Sequence, residues 1–269
     1  MKLQLVPARR GALWVRHGFQ AFVHKPLAFS GLFGVFLVAM LVSGLIPLVG
    51  PTVFLACLPL VTLGFMLATQ QVLQGRFPGL TVFISPLRVD KLRTRALIRL
   101  GIAYALSMLL VLALRAWLDD GRSEALQNAM MGGKATPESV REMLEDTRLQ
   151  LSVASFFFFA SLLSVPFWHA PALIHWGGQS MLKSLFFSTV AVWRNRGAFI
   201  VYALTWVAVL LGFALLSSLL FTLIGQPQWA PFVMMPGALT MSTVFYASLY
   251  FTFADCFELP SVAPGPAGP

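Results

Sequence analysis

The chain has 269 residues, of which 58% are hydrophobic and only 11% charged, with a mean hydropathy of +0.79. Soluble domains carry roughly 25% charged residues, so a water-soluble globule is excluded. The net charge of +9 is no argument for nucleic acid. The basic residues lie beside apolar runs, where they orient a membrane protein and meet anionic lipid.

The opening stretch "MKLQLVPARRGALWVRHG" carries charges but no apolar signal-peptide core, so no cleavable leader is expected. Next comes an amphipathic segment, "WVRHGFQAFVHK", with Arg16, Gln20 and His24 on one face and Val15, Phe19 and Phe22 on the other. Six apolar segments follow that are long enough to cross the hydrocarbon core, which needs about 20 residues. They lie at about 27–46, 52–73, 96–117, 151–174, 197–223 and 231–253. The fold expected is all-α: six transmembrane helices in three hairpins, each preceded by a basic amphipathic interfacial helix, in one membrane domain over 1–258. Residues 259–269, "PSVAPGPAGP" with the Leu before it, contain almost no core-forming side chain and are expected to be a disordered tail.

Basic residues set the orientation. Fourteen of the 19 Lys and Arg precede span one or lie between spans two and three or four and five, including Arg99 just inside span three. The short connections at 47–51 and 224–230 have none, and the long loop at 118–150 holds seven of the ten acidic residues, counting Asp119. The positive-inside rule then places both termini in the cytoplasm. Within the outer loop, Thr136-Pro137-Glu138 has the form of a helix start. Cys57 and Cys256 fall near opposite faces of the membrane, so no disulfide is expected between them. Six of the seven tryptophans, all but Trp206, sit at span ends, as an aromatic belt predicts.

The second and third amphipathic segments are "SPLRVDKLRTRALIR", where Arg88, Lys91, Arg95 and Arg99 follow helical spacing, and "QSMLKSLFFSTVAVWRNR". The first and third align without a gap: residues 21–29 match 191–199 at Ala, at a basic residue and at the terminal Ala-Phe. A parallel repeat accounts for this, and so does the general likeness of interfacial helices.

Chemistry is sparse. His169 and His175, six residues apart, face different ways on a helix. His17 and His24 share a face, but beside Arg16 and Lys25. No metal, haem or other cofactor is expected, and the histidines read as polar tips at the interface. The spans hold no acid until Asp255 at the end of span six, and Asp255 and Arg99 are close enough to the interface to reach water or to pair. No nucleophile motif, phosphate loop or Cys pair is present, so no enzyme is expected. A proton-coupled transporter is disfavoured by the lack of a mid-membrane carboxylate.

The stretches "LQLVPARRGALWVRHG", "LQGRFP", "FWHAPALIHW", "KSLFFS" and "WRNRGAF" together resemble a family of uncharacterised six-span proteobacterial inner-membrane proteins, over nearly the whole chain up to the tail. In plan the chain is also loosely similar to the membrane domains beside glycerophosphodiester phosphodiesterases, but it lacks that enzyme's soluble barrel. The resemblance implies a bacterial inner-membrane location and imports no reaction. It marks Trp14, Arg76, Trp168, His169, Pro171, His175, Trp176 and Asn195 as motif positions without an assigned role, together with Pro7, Arg9, Pro78, Lys183, Ser184 and Arg194.

Two functions of different class fit these residues. The first is a non-catalytic scaffold or accessory subunit that contacts anionic lipid through Arg16, Lys25, Arg88, Lys91, Arg95, Lys183, Arg194 and Arg196, and packs on itself or on a larger membrane complex. The second is a pore or carrier for lipid or another small amphiphile, suggested by spans broken at Pro59, Pro166, Pro171 and Pro236-Gly237.

Overall fold

The computed structural model describes residues 1–132 and 136–258; the expected tail at 259–269 lies outside the described residues. Among them the secondary structure is helical, apart from one isolated bridge between Leu3 and Phe257. In chain order the helices are α1 (Arg10–His24), α2 (Pro26–Gly44), α3 (Val49–Leu73), α4 (Lys91–Asp119), α5 (Arg122–Met131), α6 (Pro137–Glu145), α7 (Thr147–Phe167), α8 (Ala170–His175), α9 (Met181–Arg194), α10 (Arg196–Leu223) and α11 (Ala230–Cys256). Six stretches are long and apolar enough to cross a membrane: α2, α3, α4, α7 with α8, α10, and α11 with the short turn before it. Large apolar side chains point outward along them, among them Phe157, Phe158, Leu215 and Leu216. In water such a surface would be a liability; in lipid it costs nothing.

Local chemistry explains where the helices break. Pro26 lacks the N–H needed to extend α1, so Lys25 leaves helical geometry and α2 starts afresh. The chain also leaves helical geometry at Asn195, between α9 and α10. These two joints are the aligned positions of the sequence repeat, and the alignment extends to burial. Trp14, Gly18, Ala21, Ala28 and Leu32 face inward, as do Ser184, Ser188, Ala191, Ala198 and Tyr202, each 170 positions later.

The second basic segment is different. It was expected to form a helix carrying Arg88, Lys91, Arg95 and Arg99 on one face, but Ser85–Arg88 is a 3-10 turn and the chain extends at Asp90. The Asp90 carboxylate accepts the Arg93 N–H at 2.8 Å and caps α4. Lys91, Arg95 and Arg99 therefore lie on the first turns of the long span helix, and Arg88 lies off it. The outer segment behaves as its sequence indicates. Thr136 accepts from the Ser139 N–H at 3.2 Å, and Ser139 Oγ accepts from the Thr136 N–H at 3.0 Å, closing a reciprocal cap on α6.

Helix α11 is central. It packs on α1, α3, α10 and α2, and buries Thr243, Val244, Ala247, Ser248 and much of its last two turns. Helix α4 packs between α3 and α7. Amphipathic α1 lies across α10 and α11, brought close by two glycines. A Cβ on Gly11 would sit 2.1 Å from the Ala198 carbonyl oxygen, and one on Gly18 would sit 2.6 Å from Ser248 Cβ. Small residues at such crossings let backbones approach, the usual basis of packing where lipid supplies no hydrophobic drive.

Candidate functional site

One cluster of polar residues gathers where the start of the chain meets the end of α11. The segment before α1 runs beside the end of α11: Gln4 N–H donates to the Cys256 carbonyl at 2.8 Å, and Glu258 N–H donates to the Lys2 carbonyl at 3.2 Å. Asn195 is buried at the α9–α10 joint and holds this segment in place. Its Oδ1 accepts the Val6 N–H at 2.9 Å and its Nδ2 donates to the Gln4 carbonyl at 3.1 Å. An amide is the side chain that can both accept and donate here, which explains Asn at a motif position.

Above this sits a charged triad. Arg10 donates from Nε to Asp255 Oδ2 at 2.7 Å and from Nη2 to Oδ1 at 2.6 Å, and Trp14 Nε1 donates to Oδ2 at 2.6 Å. Trp14 is fully buried between the rings of Phe199 and Tyr202. Its expected place in an exposed aromatic belt is therefore corrected: it is a core residue with a specific partner, because an indole removed from water must find an acceptor. Trp117, Trp193 and Trp229 do remain exposed. Asp255 pairs with Arg10, while Arg99 is exposed and makes no ion pair among the described residues.

Arg10 and Asp255 form one wall of a cleft of about 430 Å³ whose other polar residues are His17, Gln20 and His24, with Phe251 and Val72 as apolar lining. His17 packs on the Phe251 ring at 5.1 Å. Burial lowers its pKa, and the nearby Arg10 charge lowers it further. Asp255 accepts three hydrogen bonds through its two oxygens, which makes it a structural acceptor at the cleft wall. Among the described residues no group of three His, Cys, Asp or Glu could hold a metal ion.

The motif around span four forms a second polar cluster. Pro171 has no N–H, so Phe167 loses a helical partner and the chain breaks at Trp168–His169, separating α7 from α8. Ser188 of α9 fills the gap: its Oγ accepts the His169 N–H at 3.0 Å and donates to the Val165 carbonyl at 2.9 Å, the bond that an unbroken helix would make directly. Thr252 Oγ1 gives its one proton to the Leu249 carbonyl at 2.8 Å. It accepts from Trp168 Nε1 at 3.1 Å and lies 3.2 Å from His169 Nε2, to which it is hydrogen-bonded. His169 is fully buried and packs on Phe199, Phe253 and Phe257, so its reading as a polar tip at the interface is corrected. Trp176 stacks on Phe253 at 5.2 Å, and the His175 carbonyl accepts from Arg93 Nη1 at 2.9 Å.

Thus Trp14, Trp168, His169, Pro171, Trp176 and Asn195 come together around the end of α11. Arg76 does not: it is exposed, and among the described residues its side chain bonds to neighbouring Gln74. Of the residues singled out for lipid contact, Arg16, Arg88, Lys91, Arg95, Lys183, Arg194 and Arg196 are exposed and Lys25 is half-buried. None makes an ion pair among the described residues. Sequence reasoning missed Arg10, Ser188 and Thr252. The only signal available was Asp255, the lone acid of the sixth span.

Over 258 residues the chain is 33% identical to a probable inner membrane protein of Burkholderia thailandensis, an alignment covering 96% of this chain and 94% of that protein. The chain belongs to that inner-membrane protein family. No family model and no solved structure matches it. Taken with its six stretches long and apolar enough to cross a membrane, this membership makes the chain a multi-pass inner-membrane protein.

Proposed function

We propose that this inner-membrane protein is a non-catalytic scaffold or accessory subunit, with both termini in the cytoplasm and with a basic cytoplasmic rim that binds anionic phospholipid. Its spans form three hairpins. α1 and α9 lie in the plane of the interface, and the basic start of α4 does the same work from the span itself. The partners are anionic lipid of the cytoplasmic leaflet and either a second copy or a larger membrane complex.

The observation that carries this reading is the outer face of α9. Ser184, Ser188 and Ala191 bury one side of the helix. The other side presents Leu182 at 72%, Phe186 at 62% and Trp193 at 68% exposure, interleaved with Lys183 and Arg194. Apolar side chains next to unpaired cations suit the boundary between headgroups and acyl chains. Each Lys or Arg near an anionic surface contributes about 1 kcal/mol, decaying over roughly 8 Å at physiological salt.

The test is lipid retention. Protein reconstituted with mixed phosphatidylglycerol and phosphatidylethanolamine is compared with R88Q/K91Q/R95Q and K183Q/R194Q/R196Q variants, reading bound lipid by native mass spectrometry. Both variants should lose their preference for the anionic lipid, more at low salt than at high. Retention equal to the parent's in both would reduce the basic residues to topology signals.

A further inference from the structure

Within the membrane-spanning region, α3, α4, α7 and α11 leave a cavity of about 210 Å³ between them. Its walls are mostly apolar and aromatic, with Pro59 and Thr62 from α3, Tyr104 from α4, Ser164 and Phe167 from α7, and Tyr246 from α11. None of the lining residues is an Asp, Glu, Lys, Arg or His. The cavity is partly open, and its opening has a structural cause. Helix α7 packs along α4 and α9, while among the described residues it has no extended contact with α11. The mouth therefore lies on the lateral, lipid-facing side.

The hydrogen-bonding capacity of this cavity is easily counted. Thr62 Oγ1 donates to the Leu58 carbonyl at 3.0 Å, and Ser164 Oγ donates to the Ser161 carbonyl at 2.7 Å, so neither has a proton left to offer. The indole of Trp168, also in the wall, is committed to Thr252. The phenols of Tyr104 and Tyr246 are different: neither is hydrogen-bonded to a described residue, and both residues line the open space. Their rings are held in place, Tyr104 edge-on to Phe167 at 5.1 Å and Tyr246 stacked on Phe65 at 4.9 Å. Two phenol hydroxyls on held rings can donate to acceptors that enter this apolar space.

We infer that this cavity is a binding site for the headgroup of an uncharged lipid, held through its carbonyl oxygens by Tyr104 and Tyr246. An ionised headgroup is disfavoured because no counter-charge lines the site and the surrounding medium is apolar. A pure hydrocarbon would leave both phenols unsatisfied. The volume admits a headgroup and not a whole lipid, whose tail would leave through the gap between α7 and α11. Two classes of membrane lipid carry this chemistry: isoprenoid quinones and diacylglycerols. The aromatic walls suit the flat quinone ring better. The inference is independent of the lipid-binding rim, which recognises charge at the opposite polarity of environment.

Binding is measured on the full-length protein in nanodiscs, following tryptophan fluorescence while decylubiquinone, dioctanoylglycerol or decane is added. Decylubiquinone or dioctanoylglycerol should bind saturably, and whichever does identifies the source; decane should not compete. The Y104F/Y246F variant keeps both rings and should bind about tenfold or more weakly, in line with the loss of two modest hydrogen bonds, with its thermal unfolding unchanged. Ser164→Phe, on the peripheral α7, should block the cavity while leaving both phenols in place. Saturable binding that survives in both variants, equal competition by decane, or the absence of saturation by either carbonyl lipid would overturn the assignment.

Discussion

Arg10 and Asp255 lie 245 positions apart, yet they are joined by two side-by-side hydrogen bonds of 2.7 and 2.6 Å. Trp14, one helical turn beyond Arg10, adds a third bond to the same carboxylate. This single acid thereby clamps α1 onto the end of α11 and ties the start of the chain to its last helix. Removing the carboxylate leaves an indole N–H without an acceptor and a guanidinium without its partner. Asp255→Ala should lower unfolding stability in detergent by about 2 kcal/mol, within the range for bonds to charged groups. Arg10→Gln should cost less, because Arg10 is one-third exposed and water can replace it. A thermal or denaturant series on the two single variants and the double variant checks this; equal costs would mean that Trp14 does not use the carboxylate.

His17 gives the fold a dependence on pH. Burial first and the Arg10 charge second hold its pKa below the ordinary 6.5, with Arg16 adding to the effect and Asp255 opposing it. The unfolded chain therefore binds a proton more readily than the folded one between the two pKa values. Stability from this group is complete above about pH 6.5 and is lost as pH falls through the folded value. Melting temperatures measured from neutral to mildly acidic pH should decline over that window. His17→Gln should flatten the decline, and an unchanged slope would assign it to other groups.

Ser188 substitutes for a missing helical bond. With Ser188→Ala, the His169 N–H and the Val165 carbonyl both lose their partner in a buried place. A loss of about 1–3 kcal/mol follows from the cost of leaving such groups unsatisfied. Ser184, one turn earlier on the same helix face, is equally buried but its hydroxyl has no partner. Ser184→Ala should be near neutral or slightly stabilising. Thermal unfolding of the two variants side by side separates loss of the bridge from a general intolerance of α9.

The proposed orientation is open to direct measurement. A reporter inserted at Gly132, between α5 and α6, should read periplasmic, and reporters at Arg88 and Arg194 should read cytoplasmic. A cytoplasmic reading at Gly132 would move the basic rim to the wrong side of the membrane for the lipid contact proposed above.

The sequence by itself determined what depends on local composition and period. Six apolar runs of spanning length name the six spans, because hydrocarbon admits a lone chain segment only as a closed hydrogen-bonded helix. Pro26 and the Thr136 cap mark helix starts through their own local chemistry. Their positions in the structure agree with the sequence to within a few residues. The alignment of 21–29 with 191–199 was legible in matching Ala, basic and Ala-Phe positions, and the same offset carries a shared register of burial at Trp14 and Ser184, Gly18 and Ser188, Ala21 and Ala191. Asp90 shows the limit of periodicity: charges at helical spacing look the same whether or not a capping side chain interrupts the helix between Arg88 and Lys91.

Tertiary structure decided the partners. Whether Trp14 belongs to an aromatic belt or to the core depends on where Asp255 lies, and no spacing in the chain records that. Whether His169 is a wet tip or a buried partner depends on Thr252, 83 residues away. The cavity between Tyr104 and Tyr246 exists because α7 stands off from α11. Such relations are set by how helix faces fill space together, and a face carries its own pattern but not the identity of the face it will meet.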